Sequence, residues 1–206
     1  MKKILSIFGV FFTFLLFAQT TDKQKVLADT QSFMQLYEKK DYDKILEMSH
    51  PKLLEKFDRQ MLLSAFKTVF EGNDEFKISL DKVDNSAYKV SEIYQDNGSK
   101  YAFVSYPMSM KMTFLKQKLD TDTKKMMISM MEAKGMKASF TDDSTMSIKK
   151  SALVVALYDK STGNQWKYTN HDDNNPMYTS IIPVNIIKKA QAYYSDLLLK
   201  EKENAN

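Results

Sequence analysis

Three methionines at alternate positions, Met108, Met110 and Met112, are the residues of this chain best spaced for chemistry. Thioethers are soft ligands, and a Met-x-Met-x-Met run along one strand face suits Cu(I). The same spacing suits a packed core, because methionine fills irregular gaps. No cysteine or histidine stands beside the run, so packing is the favoured reading. A Met-rich pocket that adapts to varied apolar ligands or to a partner helix lies between the two. Nine of the 14 methionines fall between Met108 and Met146. Met126, Met127, Met130 and Met131 have helical spacing and are expected to cover the methionine strand.

Acid–base chemistry has few carriers. The two histidines are His50 and His171. His50 precedes Pro51 and reads as a helix-entry residue. His171 heads an Asp172-Asp173 loop, weakly suited to a divalent metal but more often a solvated loop. Neither belongs to a metalloprotease, nucleophile-elbow or phosphate-loop motif. The carboxylates fall in turns and on helix backs, for example Glu38, Glu47, Asp142 and Asp143. Tyr106, Tyr158 and Tyr168 point inward by parity, with Glu92 the one acid near a strand interior. No catalytic residue, metal ligand or cofactor is assigned. Tyr106, Met108, Met110, Met112, Tyr158 and Trp166 are the candidate pocket residues.

Cysteine is absent. That excludes disulfides, thiolate nucleophiles, zinc-thiolate sites and a cysteine-acylated lipoprotein. Arg59 is the one arginine. Nucleic-acid readers lean on arginine for bidentate contacts, so nucleic acid is not an expected partner.

These residues need elements to hold them. Residues 22–72 read as helices: an apolar stripe of Val26, Phe33, Met34, Leu36 and Tyr37, opened by a Thr21/Gln24 capping box, then starts at Asp41, Pro51 and Asp58 and a C-cap at Gly72. The period then becomes two. Phe76, Ile78 and Leu80 alternate, Tyr88–Tyr94 reads as a strand, and Asp96-Asn97-Gly98 predicts a hairpin turn. A long strand follows through Phe114, with a bulge or edge position expected at Pro107. A helical insert near 116–134, ending at Gly135, precedes a short strand at Met136–Phe140. Met146–Tyr158 reads as one strand whose apolar second half is central. Trp166 and Tyr168 alternate on a last strand, and Pro183 opens a final helix.

Lys2-Lys3, the uncharged run Ile4–Phe17 and Ala18-Gln19 have the build of a secretory leader. Fourteen apolar residues are short for a bilayer span, so no membrane span is expected once the leader is removed. Losing Lys2 and Lys3 takes the net charge from +4 to +2. The expected organisation is a leader at 1–18, one domain at 19–200 and a charged tail at 201–206. The expected location is the periplasm or the medium.

Asp41-Tyr42-Asp43, Ser49-His50-Pro51-Lys52-Leu53, Gln165-Trp166-Lys167-Tyr168 and Ile182-Pro183-Val184-Asn185-Ile186-Ile187 occur in that order. In this the chain resembles the nuclear-transport-factor-2-like (NTF2-like, cystatin-related) superfamily, in its secreted Gram-negative branch, over roughly residues 22–195. The resemblance implies an α+β fold: N-terminal helices packed on a curled antiparallel sheet, forming a cone with an apolar cavity. The helical insert and the C-terminal helix are additions to that frame. It implies no particular reaction. The function expected is an exported, non-catalytic binding or interaction module for an apolar small molecule or a protein partner. The alternative is a small general acid–base enzyme on a hydrophobic substrate, with methionine-based copper binding as an outsider.

Cleavage after Ala18 makes Gln19 the first residue of the exported chain. An intact mass from the native envelope fraction checks this; a chain that keeps residues 1–18 there would overturn it.

Overall fold

The computed structural model describes the backbone of residues 2–173 and 175–203, and side chains from Thr20 onward. The expected leader at 1–18 lies outside the residues whose side chains are described, and residues 204–206 of the expected tail lie outside the description altogether. Four helices come first: α1 (Lys2–Lys39), α2 (Tyr42–Met48), α3 (Lys52–Lys56) and α4 (Arg59–Glu71). The strands β1 (Phe76–Leu80), β2 (Lys89–Val90), β3 (Tyr94–Asp96) and β4 (Ser99–Phe114) follow. Then come α5 (Thr121–Ala133), β5 (Lys137–Phe140), β6 (Thr145–Tyr158), β7 (Lys167–Asn170), α6 (Pro176–Ile181) and α7 (Val184–Glu203).

Local signals explain most boundaries. Asp41 caps α2 by accepting from the Lys44 amide, and Asp58 caps α4 by accepting from the Met61 amide. Asp120 does the same for α5. Asn97 and Gly98 both take positive φ, 49° and 81°, as a tight hairpin turn requires. Thr21 is not a cap, because α1 runs through it without a break.

The seven strands form one antiparallel sheet, ordered β1-β4-β6-β5, with β2 and β3 on β4 and β7 on β6. It is not closed into a barrel. The fold is α+β, as expected. β4 and β6 pair continuously from Lys100↔Tyr158 to Thr113↔Thr145. Pro107 sits inside that run without a bulge, opposite Ser151. Its missing N–H costs little because β2 pairs only as far as Ser105 and β1 begins at Met110. The proline occupies the gap between two edge partners. The expected Tyr88–Tyr94 strand is split into β2 and β3. At the break the Ser91 hydroxyl takes the Phe103 amide, 3.0 Å away.

Side-chain alternation sorts the core into two clusters, one on each face. Ala102, Val104, Tyr106, Ala152, Val154, Ala156 and Tyr168 pack against Val26, Phe33 and Tyr37 of α1 and Tyr42 and Ile45 of α2. The opposite parity, Tyr101, Phe103, Leu153, Val155 and Leu157, packs against Tyr178 and Ile181 of α6 and Ile186, Ile187 and Ala190 of α7. Helices therefore cover both faces of the β4–β6 centre. That explains the strand's double-sided apolarity beyond Ala152. Helix α6 begins where the expected loop at 172–176 ends and fills a stretch that carries no expectation, nucleated by Asn175 as N-cap and Pro176 at its first turn. Helix α7 continues through Glu203, past the start expected for the charged tail.

Gly72 ends α4 with φ 86° and ψ 179°, a region open almost to glycine alone. A Cβ there would stand 2.7 Å from the Phe76 carbonyl oxygen. Gly98 also has positive φ, but a Cβ there meets nothing within 4 Å. Gly72→Ala should cost at least about 2 kcal/mol of unfolding free energy, and Gly98→Ala about 1 kcal/mol. Urea titration of both variants checks the difference; equal losses would mean that the Phe76 contact is harmless.

Candidate functional site

The six residues singled out by sequence share one parity but do not surround one hollow. Tyr158, opposite Lys100, and Met112 are twelve β4 positions apart in register. At 3.4 Å per residue that is about 40 Å of sheet. Tyr158 and Trp166 meet at one end, ring centroids 5.6 Å apart. The Lys100 ammonium lies 5.5 Å from the Tyr158 ring and pairs with Asp22 at 2.8 Å. Tyr106 and Met108 lie mid-strand. Tyr106 packs on Tyr88, 5.1 Å between centroids, and its hydroxyl reaches the Met34 sulfur at 3.5 Å. Burial pushes the Tyr106 hydroxyl well above the ordinary tyrosine range, with Tyr37 and Tyr88 adding to it.

Met110 and Met112 are half-buried near the far end. Their cross-strand neighbours are Leu80 and Ile148, and Ile78 and Met146. The thioethers are thus set in hydrocarbon. Helix α5 lies on this face, since Lys124 reaches the Phe140 ring at 5.5 Å. Its methionines do not all face the strand as expected: Met126 is 57% exposed and Met130 52%. Sequence spacing gave a helical stripe but not its direction.

Two ionisable clusters lie at the layer boundaries. The His171 side chain is 4% exposed, with Nε2 3.4 Å from Asp173 and Nδ1 2.9 Å from the Tyr178 hydroxyl. The His171 ring stands edge-on to Tyr178 and Tyr194. This has the order of an acid–base relay. Tyr178, however, is 2% exposed and belongs to the α6–α7 core. The relay joins the loop after β7 to α6 instead of presenting a reactive oxygen. His50 is also buried; its Nδ1 accepts from the Lys52 amide at 3.2 Å, and its Nε2 has no partner. Among the described residues no group of three or more histidines or carboxylates is placed to hold a metal ion.

The face under α6 and α7 changes character beyond Pro107. There the ladder positions are Lys77 and Ser79 of β1, Ser109, Lys111 and Thr113 of β4, Thr145, Ser147 and Lys149 of β6, and Lys137 and Ser139 of β5. Not one of these is apolar. Thr113 and Thr145 touch through their hydroxyl oxygens at 3.2 Å, and Ser109 donates to Asp81 at 2.6 Å. All four lysines are exposed. Where α7 ends, a cleft of about 320 Å³ opens between Lys89, Ser105, Pro107 and Ser151 on the sheet and Leu197 and Glu201 on the helix. Glu201 accepts from the Ser151 hydroxyl. Pockets for small molecules run from roughly 300 to 1,000 Å³, so this cleft is at the small end. Sequence reading missed the face, because its lysines come from four separate strands.

No protein-family model, curated protein or solved structure matches this chain. Among the described residues no helix is long and apolar enough to cross a membrane.

Burial lowers both histidines below the ordinary 6.5, outweighing the opposite pull of Asp159 on His50 and of Asp173 on His171. The unfolded chain then binds protons that the folded chain refuses. Stability is therefore full above pH 6.5 and falls as pH drops from there toward the folded values. His50→Gln with His171→Gln should flatten that stretch while leaving the carboxylate-driven loss below about pH 4. Chemical denaturation across pH checks this, and an unchanged slope would contradict it.

Proposed function

We propose that this protein is an exported, non-catalytic interaction module that docks a partner through the open half of its sheet. The observation that carries the reading is the uncovered polar ladder. Helices cover the sheet on both faces around β4–β6, yet beyond Pro107 and Ser151 one face carries only lysine and hydroxyl side chains. A sheet face of this regularity is rigid, since every strand beneath it is paired. Rigid display lowers the ordering cost of binding.

Kinship with the NTF2-like superfamily belongs to the same proposal. Supporting it are the helices preceding a long antiparallel sheet, Trp166 leading into β7 and Pro183 opening α7. A resident apolar ligand has weaker support. The face where a cone would be hollow is filled by Tyr37, Tyr88, Tyr106 and Tyr168. The Tyr168 hydroxyl there is held by Asp29 at 2.9 Å.

A photo-crosslinking residue at position 147, on the open face, should form adducts in the native cells. The same residue in place of exposed Ser195 on α7 should not. Equal labelling, or none at 147, would remove the docking face from this reading.

A further inference from the structure

We propose that the open half of the sheet binds an anionic, hydroxyl-bearing polymer of the acidic polysaccharide class, a step that rests on the docking reading above. The most telling pair is Lys137 and Lys149. They are direct cross-strand partners in the β5–β6 register. Like charges directly opposite destabilise a sheet. Neither lysine is ion-paired among the described residues, and neither are Lys77 and Lys111 on the same face. The nearest acids are Glu201 of α7 at Ser151, one row from Lys149, and, at the ends of β1, Glu75 beside Leu115 and Asp81 beside Ser109; Glu201 and Asp81 are already engaged by the Ser151 and Ser109 hydroxyls. The centre of the face is left with repulsion that an anionic partner would relieve.

Geometry favours a polymer over a single small anion. The face spans four strands, three spacings of about 4.8 Å each. Every lysine is solvated, so one contact is worth little. The lysines are close enough for their fields to overlap within the Debye length of about 8 Å at physiological salt. A chain that touches several of them adds the contacts together. Between the lysines lie Ser79, Ser139, Ser147, Thr113 and Thr145, which donate and accept and so match a ligand bearing both carboxylates and hydroxyls. The next row along β4 and β6 is Pro107 and Ser151, which is the floor of the cleft with Lys89. The ladder thus runs into the cleft of about 320 Å³, a volume fit for a small ligand unit.

Other partners fit less well. The ladder has no aromatic platform on which bases would stack. Arg59, the single arginine, is paired with Asp43 at 2.6 Å in the helical layer. Protein hot spots need buried aromatic, apolar or arginine anchors, which this face lacks. Leu115 after β4 and Val184 and Leu199 near opposite ends of α7 are single exposed apolar residues on the lysine side, while Met61 and Val69 of α4 and Met126 and Met130 of α5 are on the opposite side of the sheet. A membrane that took up the latter group would turn the lysines away from its surface.

The test is affinity electrophoresis of the full mature chain through gels holding polygalacturonate or neutral dextran. The native protein should be retarded by polygalacturonate alone, less so as salt rises. Changing Lys77, Lys111, Lys137 and Lys149 together to Gln should weaken this at least tenfold. The same change at Lys39, Lys67, Lys125 and Lys188, off the face, should leave it within twofold. Lys137→Glu offers a second readout: it should raise the melting temperature of the bare protein while weakening polymer binding. Equal effects of the two quadruple variants would overturn the proposal. So would binding to phosphatidylglycerol vesicles with none to polygalacturonate, which would assign the face to lipid headgroups. No polymer binding alongside a crosslink at position 147 would overturn the polysaccharide and leave the docking face standing; no binding and no crosslink would remove both.

Discussion

The pairing of β4 with β6 is the constraint on which the rest depends. Fourteen consecutive residue pairs are held in one register, from Lys100↔Tyr158 to Thr113↔Thr145. Side chains alternate with period two, so that register decides what each face carries over the full length. A slip of β6 by one residue against β4 would send Val155 to the α1 side and Val154 to the α7 side. Both sides would then lose their fit to the helices. Pinning comes from both ends: the Asn97-Gly98 turn joins β3 to β4, and Asp142 accepts from the Ser144 and Thr145 amides where β6 begins. Asp142 is held below the usual carboxylate range by those same bonds, with the Ser144 amide the largest contributor.

Given that register, the helices have little choice. The α1 side is aromatic, and its rings lock together: Phe33 with Tyr37, Tyr37 with Phe70, Tyr88 with Tyr106. Ring pairs of this kind add about 0.5–1.5 kcal/mol beyond their burial. The α7 side is more aliphatic, built on Ile186, Ile187 and Leu153. Hydroxyls that end in these cores need partners. Tyr168 finds Asp29, Tyr178 finds His171, and Tyr194 donates to the Ser151 carbonyl at 2.8 Å. Thr30 and Tyr42 are exceptions, with hydroxyls that find no partner. Their cost, about 1–3 kcal/mol for an unmade buried bond, is borne by the packing around them.

Much of this was legible one element at a time. Period two marked β1, β4 and β6, and short-range chemistry marked the caps at Asp41 and Asp58 and the Asn97-Gly98 turn. What stayed hidden depends on pairing between distant segments. Pro107 read as a bulge or an edge position, and only the pairing shows which: its two neighbours stop on either side of it, leaving a local edge without a bulge. Helix α6 carried no expectation because six residues hold too little period to register. The α5 methionines read as a lid because a helix's stripe does not say which way it faces. The lysine ladder was hidden for the same reason. Lys111 could be placed opposite Met110 and Met112, but Lys77, Lys137 and Lys149 join it only when the β1-β4-β6-β5 order is known.

The place where α7 stops ties the fold to the site. The helix covers Phe103 and Val155 and then leaves the sheet at Ser151, where Glu201 takes the serine hydroxyl. The sheet's own chemistry turns over close by, from Leu153 to Ser151 on β6 and, one row earlier, from Phe103 to Ser105 on β4. A longer contact would lay helix against lysine, burying charge without a partner, which is costly. A shorter one would leave Leu153 wet. The helix length and the ladder composition thus agree on a single boundary, and the cleft is the seam between them. Solubility alone would require lysines somewhere on the surface. It would not require two of them to oppose each other directly across strands, with hydroxyls in the rows between.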